Sequence, residues 1–122
     1  MSLYDRLMNA LDVLGDPVRR RLVELLAAGD RAAGEVSDVV EREYGISQPA
    51  VARHLRVLRE AGFVTSTPHG PRRIYSLQPV VIDQLQQQVD RYRALWNQRL
   101  DALETEIARG KKARATTKGT TT

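Results

Sequence analysis

Five arginines lie between Ser47 and Arg73, at positions 53, 56, 59, 72 and 73, and the same stretch holds one acid, Glu60. A guanidinium stays charged at every accessible pH, and its planar fork of N–H donors fits a phosphate or the paired acceptors of a guanine edge. Arg53, Arg56 and Arg59 are spaced by three, which on a helix sets them along one side, with Gln48 and Ala52 nearby. A glutamine amide can make the matching pair of hydrogen bonds to adenine. Arg72 and Arg73 follow Gly70-Pro71 and belong to a turn. Residues of these types in this order recognise a polyanion by charge and hydrogen bonding.

Bond-making chemistry has no comparable constellation. The 122 residues include no cysteine, which excludes disulfides, thiolate metal sites and thiol redox switching. Two histidines, His54 and His69, are too few for a histidine-rich metal site within one chain, so no metal and no cofactor is expected. No nucleophile-base pairing, glycine-rich phosphate loop or metal triad can be assembled, and the chain does not read as an enzyme.

The formal charge is +4, and its location matters more than its size. Residues 110–122 carry Lys111, Lys112, Arg114 and Lys118 with no acid, while residues 1–109 hold 15 basic and 15 acidic side chains. The arginine stretch is therefore a local positive pole on a neutral body. Glu35 to Glu43, with four acids against Arg42, forms an acidic flank. That polarity suits a phosphate-facing surface. A hydrophobic fraction of 42% and a charged fraction of 28% are ordinary for one soluble globular domain. No apolar run approaches the roughly 20 residues of a membrane span, and the start of the chain is unlike a signal peptide. The expectation is a cytoplasmic protein with no membrane partner.

A scaffold must hold these side chains. Val51, Leu55 and Leu58 mark the inner face of a helix from Gln48 to about Glu60, with Ser47 as its cap and Pro49 in its first turn. Gly45 breaks the chain before it and Ala61-Gly62 after it. Phe63 to Thr67 and Arg72 to Leu77 read as strands joined by Pro68-His69-Gly70-Pro71, which puts His69 at the tip. Adjacent strand residues point to opposite sides, so at least one of Arg72 and Arg73 is expected to face DNA backbone or minor groove. Upstream, helices are predicted at Leu3–Leu14, at Pro17 to about Ala28 with Val18, Leu22, Leu25 and Leu26 inward, and at Ala33–Tyr44 with Val36, Val39 and Val40 inward. Arg19, Arg20 and Arg21 occupy successive positions, cannot share a face, and read as solvated, partly salt-bridged surface. The predicted class is mainly α with a small β-hairpin: four helices, two strands and a final helix, the order of a winged helix-turn-helix.

From Pro79 to about Ala108 there is no internal Gly or Pro, and Val81, Leu85, Val89, Tyr92, Trp96, Leu100, Leu103 and Ile107 step by three or four. A helix of about 30 residues, roughly 45 Å, is longer than a small body needs for its own core. The stripe calls for a partner, and the expected one is the same helix of a second copy, joined by the first helix. A homodimer is predicted, with Leu3, Leu7, Leu11, Val89, Tyr92, Trp96, Leu100 and Leu103 at its interface. Residues 1–109 form the domain, and 110–122 (GKKARATTKGTTT) read as a disordered basic tail.

The segments LGDPVRRRLVELL, GISQPAVARHLRVLREAGFV and GPRRIYSL together resemble the ArsR/SmtB family of small dimeric winged-helix regulators, over roughly residues 8–80. The resemblance implies a homodimer built on the first and last helices and operator binding by the fourth helix and wing, usually as repression relieved by an inducer. It carries DNA contact onto Ser47, Gln48, Arg53 and His54, and wing contact onto Arg72 and Arg73. Three departures stand out. The cysteine pair of the family's metal sensors is missing. The acid and histidine ligands that others carry on the last helix would fall on Asp90, Tyr92, Leu103 and Glu106, so both histidines are lost. The third helix also has about one extra turn, Val40 to Tyr44.

The sequence thus predicts a dimeric, sequence-specific DNA-binding transcriptional regulator, a repressor by resemblance, reading an inverted-repeat operator in double-stranded DNA. Residues 48–60 enter the major groove, where Ser47, Gln48, Ala52 and Arg53 lie nearest base edges, Gln48 and Arg53 read sequence, and Arg56 and Arg59 meet phosphate. Wing residues 68–73, with His69, Arg72 and Arg73, meet backbone or minor groove. His54, between the buried and exposed faces, joins this set, with a structural hydrogen bond as its alternative. The signal is a small-molecule effector, a separate sensor protein, or the protein's own abundance. A winged-helix protein-interaction module with incidental DNA binding is the alternative reading, drawn from the acidic third helix and the long stripe.

Overall fold

The computed structural model describes the backbone of residues 2–120 and the side chains of residues 2–112. It contains helices α1 (Leu3–Leu14) and α2 (Pro17–Ala27), strand β1 (Arg31–Ala32), helices α3 (Ala33–Tyr44) and α4 (Gln48–Glu60), strands β2 (Val64–His69) and β3 (Arg72–Leu77), and helix α5 (Pro79–Thr120). This is the expected winged helix-turn-helix with one addition, β1. The sheet order is β1-β3-β2, antiparallel throughout, with Arg31 paired to Tyr75 and Ala32 to Ile74. A two-residue strand has no periodicity to read, and only its pairing with β3 makes it one. It joins the wing to the start of α3.

The chain divides into two compact units, Met1–Leu85 and Gln86–Thr122. In the first, each helix contributes one face to a common core: Val18, Leu22 and Leu26 from α2, Val36 and Val40 from α3, and Val51, Leu55 and Leu58 from α4. Phe63 and Val64 lead the hairpin into that core, and Val81 from the start of α5 joins them. Leu25 and Val39, which the spacing also sends inward, are half-buried.

On α1, Leu7, Ala10 and Val13 are buried, whereas Leu3, Tyr4 and Leu11 remain exposed. At about 100° per residue, Tyr4 and Leu11 fall together on one edge of an apolar arc wider than the core can cover. Leu7, expected at the dimer interface, is 5% exposed and is covered within its own chain. Each step of four turns the face by about 40°, which carries Leu11 out beside Tyr4 while Leu7 stays nearer Ala10 and Val13.

The second unit is helical. The predicted end near Ala108 is not a backbone break, because α5 continues through Gly110 to Thr120. A glycine within a helix costs about 1 kcal/mol relative to alanine, and Lys111 to Ala115 directly after Gly110 are residue types that favour helix. Residues 121 and 122 of the expected tail lie outside the described residues. Val89, Tyr92, Leu95, Trp96, Leu100, Leu103 and Ile107 are between 41% and 60% exposed. Among the described residues, no helix is long and apolar enough to cross a membrane.

Candidate nucleic-acid interface

Helix α4 is fixed at both ends. Gly45 takes a left-handed conformation, φ 65°, that closes α3, and Ser47 Oγ then accepts from the Ala50 amide at 3.4 Å to open α4. At the far end Gly62 has φ 84°, its amide donates to Arg59 O at 3.1 Å, and the Phe63 amide donates to Leu58 O at 2.9 Å. Only glycine suits that left-handed turn, and an added Cβ would also come within 3.2 Å of Val81 Cγ2. Because Phe63 is fully buried, this turn ties the helix end to the core.

The outer face is as the sequence predicts. Ser47, Gln48, Ala52, Arg53, Arg56 and Arg59 are all exposed, opposite buried Val51, Leu55 and Leu58. Among the described residues, Gln48 and the three arginines have no side-chain hydrogen bond or ion pair. Their donors are left to solvent or a ligand, on a helix whose orientation the core already sets.

The wing arginines are engaged. Gly70-Pro71 forms a two-residue turn between paired His69 and Arg72, and Gly70, at φ 63°, supplies the left-handed conformation such hairpin turns favour. The predicted four-residue loop is thus shorter, since β2 extends to His69. Arg72 Nη2 donates to Glu35 Oε1 on α3 at 2.5 Å, and Arg31 Nη1 lies 3.9 Å from the same carboxylate. Arg73 Nη2 donates to Ser66 Oγ on β2 at 3.1 Å. Both remain exposed, as does His69.

His54 sits apart from the exposed row. It is half-buried, with Nδ1 3.3 Å from Arg19 Nη1 and 4.0 Å from Asp16 Oδ1, at the start of α2. Arg19, expected with residues 20 and 21 as solvated, partly salt-bridged surface, is instead part of this cluster. Arg19 Nε donates to Val13 O at 2.7 Å and Arg20 Nη1 to Leu14 O at 2.8 Å, so both satisfy carbonyls at the end of α1. Arg21 grips Glu43 of α3 at 2.8 and 2.9 Å. One signal was available: Asp16 is an N-cap, and its carboxylate accepts from the amides of Val18 and Arg19, which fixes where residue 19 begins.

The positions where the resembled family holds metal on its last helix offer a poor donor set. Asp90 accepts from Gln86 Nε2 at 2.8 Å, Tyr92 is a phenol and Leu103 has no donor atom. These residues do not fit a transition-metal site.

A capped, core-locked helix with a free basic face, followed by an arginine-bearing hairpin, defines a winged helix-turn-helix DNA-binding protein. Comparison with known proteins agrees. A helix-turn-helix domain model matches residues 14–67. The HTH-type transcriptional regulator Rv2034 of Mycobacterium tuberculosis is 40% identical over 92 residues, 75% of this chain and 82% of that protein. The arsenical resistance operon repressor of Staphylococcus xylosus is 31% identical over 87 residues, 71% and 80% of the two chains. The fold is that of an ArsR-like transcriptional regulator from Rhodococcus sp. RHA1, with a TM-score of 0.69 at 24% identity, over 84% of this chain and 92% of that one. The chain belongs to the ArsR family of winged helix-turn-helix transcriptional regulators.

Proposed function

We propose that this regulator acts as a homodimeric repressor that reads an inverted-repeat operator, with α4 in the major groove and the wing on backbone or minor groove. The observation that carries this reading is the exposed row on α4, whose arginines and Gln48 have no side-chain partner among the described residues while the helix beneath them is fixed at both ends. Arg53 and Gln48 lie towards its N-terminal end and read base edges; Arg56 and Arg59 meet phosphate. The role of repressor follows the Staphylococcus relative.

The dimer rests on apolar surface that one chain leaves uncovered: Leu3 and Leu11 on α1, and Val89, Tyr92, Trp96, Leu100 and Leu103 on α5. Patches of this extent on a regulator mark an interface. The α5 stripe is nearly symmetric about Leu100. An antiparallel pair of these helices, crossing between Arg99 and Leu100, sets Tyr92 opposite Ile107 and Trp96 opposite Leu103. Residues 1–109 form the binding and dimerisation domain, and 110–122 a basic extension.

The docking-module reading loses its main support. Of the four acids on α3, Glu35 is held by Arg72, Glu41 by Ser37 and Glu43 by Arg21, so most of that acidity is used within the chain. The test is a gel shift on the DNA upstream of the protein's own gene, with competitor DNA, alongside sedimentation. Salt-sensitive, sequence-selective binding by a dimer, with recognition helices about 34 Å apart, is expected. Weak uniform binding, or a monomer at micromolar concentration, contradicts the proposal.

A further inference from the structure

We infer that Arg19 and His54 form a positioning joint for the recognition helix, in which Arg19 ties the end of α1 to the Nδ1 face of His54 and so sets how α4 is presented to DNA. The inference rests on the reading that α4 enters the groove. Arg19 begins one turn into α2, and its guanidinium reaches three groups: Nε donates to Val13 O at 2.7 Å, Nη2 to Asp12 O at 3.5 Å, and Nη1 lies 3.3 Å from His54 Nδ1. One side chain therefore joins α1, α2 and α4. Since an arginine can only donate, Nδ1 must accept, and the ring is the neutral tautomer with its proton on Nε2.

The electrostatics agree with that geometry. Partial burial is the main influence on His54 and lowers its pKa below the ordinary histidine value; Asp16 opposes this, while Arg19 and Arg53 lower it further. Burial alone would raise the Asp16 carboxyl, but hydrogen bonds from the Arg19 and Val18 amides, the Arg19 charge and, whenever the ring is protonated, His54 leave it below its ordinary value. Asp16 and Arg19 from the start of α2 and Arg53 from α4 are the charged groups acting on the ring. An imidazolium would point a second donor at Arg19 and lose the bond. Stability tied to the neutral ring is present above the ordinary histidine pKa and is lost as pH falls through the lowered one.

The joint gives His54 a role different from phosphate contact, and the two roles respond oppositely to substitution and to acid. Asparagine places its carbonyl oxygen near the Nδ1 position, whereas glutamine reaches only towards Nε2. Affinity of the full-length protein for an operator duplex selected from random DNA is measured for wild type, His54→Asn, His54→Gln, Arg19→Lys and Arg53→Ala, with thermal melting of each. His54→Asn is expected to bind within about twofold of wild type, while His54→Gln and Arg19→Lys, which cannot complete the joint, weaken binding about five- to tenfold. Between about pH 7.5 and about pH 5.5 wild type should lose affinity relative to His54→Asn. Retention by His54→Gln with loss by His54→Asn, or wild-type affinity that rises in acid relative to His54→Asn, would falsify the joint and make His54 a direct phosphate donor. Wild-type binding by both His54 variants and by Arg19→Lys also overturns it. If Arg53→Ala is unaffected too, the reading of α4 fails; if Arg53→Ala alone loses binding, that reading stands without the joint.

Discussion

Helix α4 and the wing both carry arginines, yet their surroundings differ. Among the described residues, Arg53, Arg56 and Arg59 have no side-chain partner; their own helix holds one acid, Glu60, beyond their row. Arg72 and Arg73 are already engaged, by Glu35 and Ser66. The cause is the sheet: β1 pairs with β3 and runs directly into α3, which brings the acid at the start of α3 to the wing. In the proposed complex, guanidinium groups on α4 meet DNA by losing water alone. Arg72 must also exchange a carboxylate for a phosphate, so its net contribution is smaller than a count of charges implies. The proposed roles of recognition and attachment thus fall on arginines that differ in position and in prior engagement.

The contrast can be broken most severely from beneath. Phe63 is fully buried where α4 ends and β2 begins, so Phe63→Ala should destabilise the protein by about 3–5 kcal/mol, measured by denaturant unfolding, and loosen helix and wing together. A loss below about 1 kcal/mol would mean the two are not held by a common core. At the next level, Arg53→Ala should reduce the preference for operator over random DNA by about 1–3 kcal/mol while leaving the melting temperature unchanged. Arg73→Ala should weaken binding to every sequence alike and lower the slope of log affinity against log salt by about 1. The smallest change sharpens the contrast most. Glu35→Gln releases Arg72, and an exposed pair of this kind is worth about 0.2–1 kcal/mol, so affinity for all DNA should rise about 1.4- to 5-fold in fluorescence anisotropy. Unchanged or weaker binding would show that Glu35 aids the wing by orienting Arg72.

Much of this was legible in the sequence for definite reasons. Val51, Leu55 and Leu58 repeat strongly enough to set the face of α4, Gly45 and Gly62 mark the breaks around it by left-handed conformations that few other residues adopt, and Ser47 caps its start through its hydroxyl. Local chemistry of that sort reads directly. What escaped was long-range: β1 exists only because β3 lies beside it, and Leu7 turned inward because the core reached that edge of α1. Arg19 looked like one of three equivalent charges until the end of α1 was seen against it. His54 is the instructive case, since its intermediate position on the helix was read correctly but its neighbour, 35 positions away, could not be.

The division of labour is tested most directly by a base-by-base specificity profile of the operator, measured for wild type, Arg53→Ala and Arg73→Ala at matched salt. The account predicts that Arg53→Ala flattens discrimination at one base pair in each half-site, whereas Arg73→Ala lowers every affinity by one common factor and leaves the profile intact. A profile altered equally by both substitutions, or by Arg73→Ala alone, would contradict it.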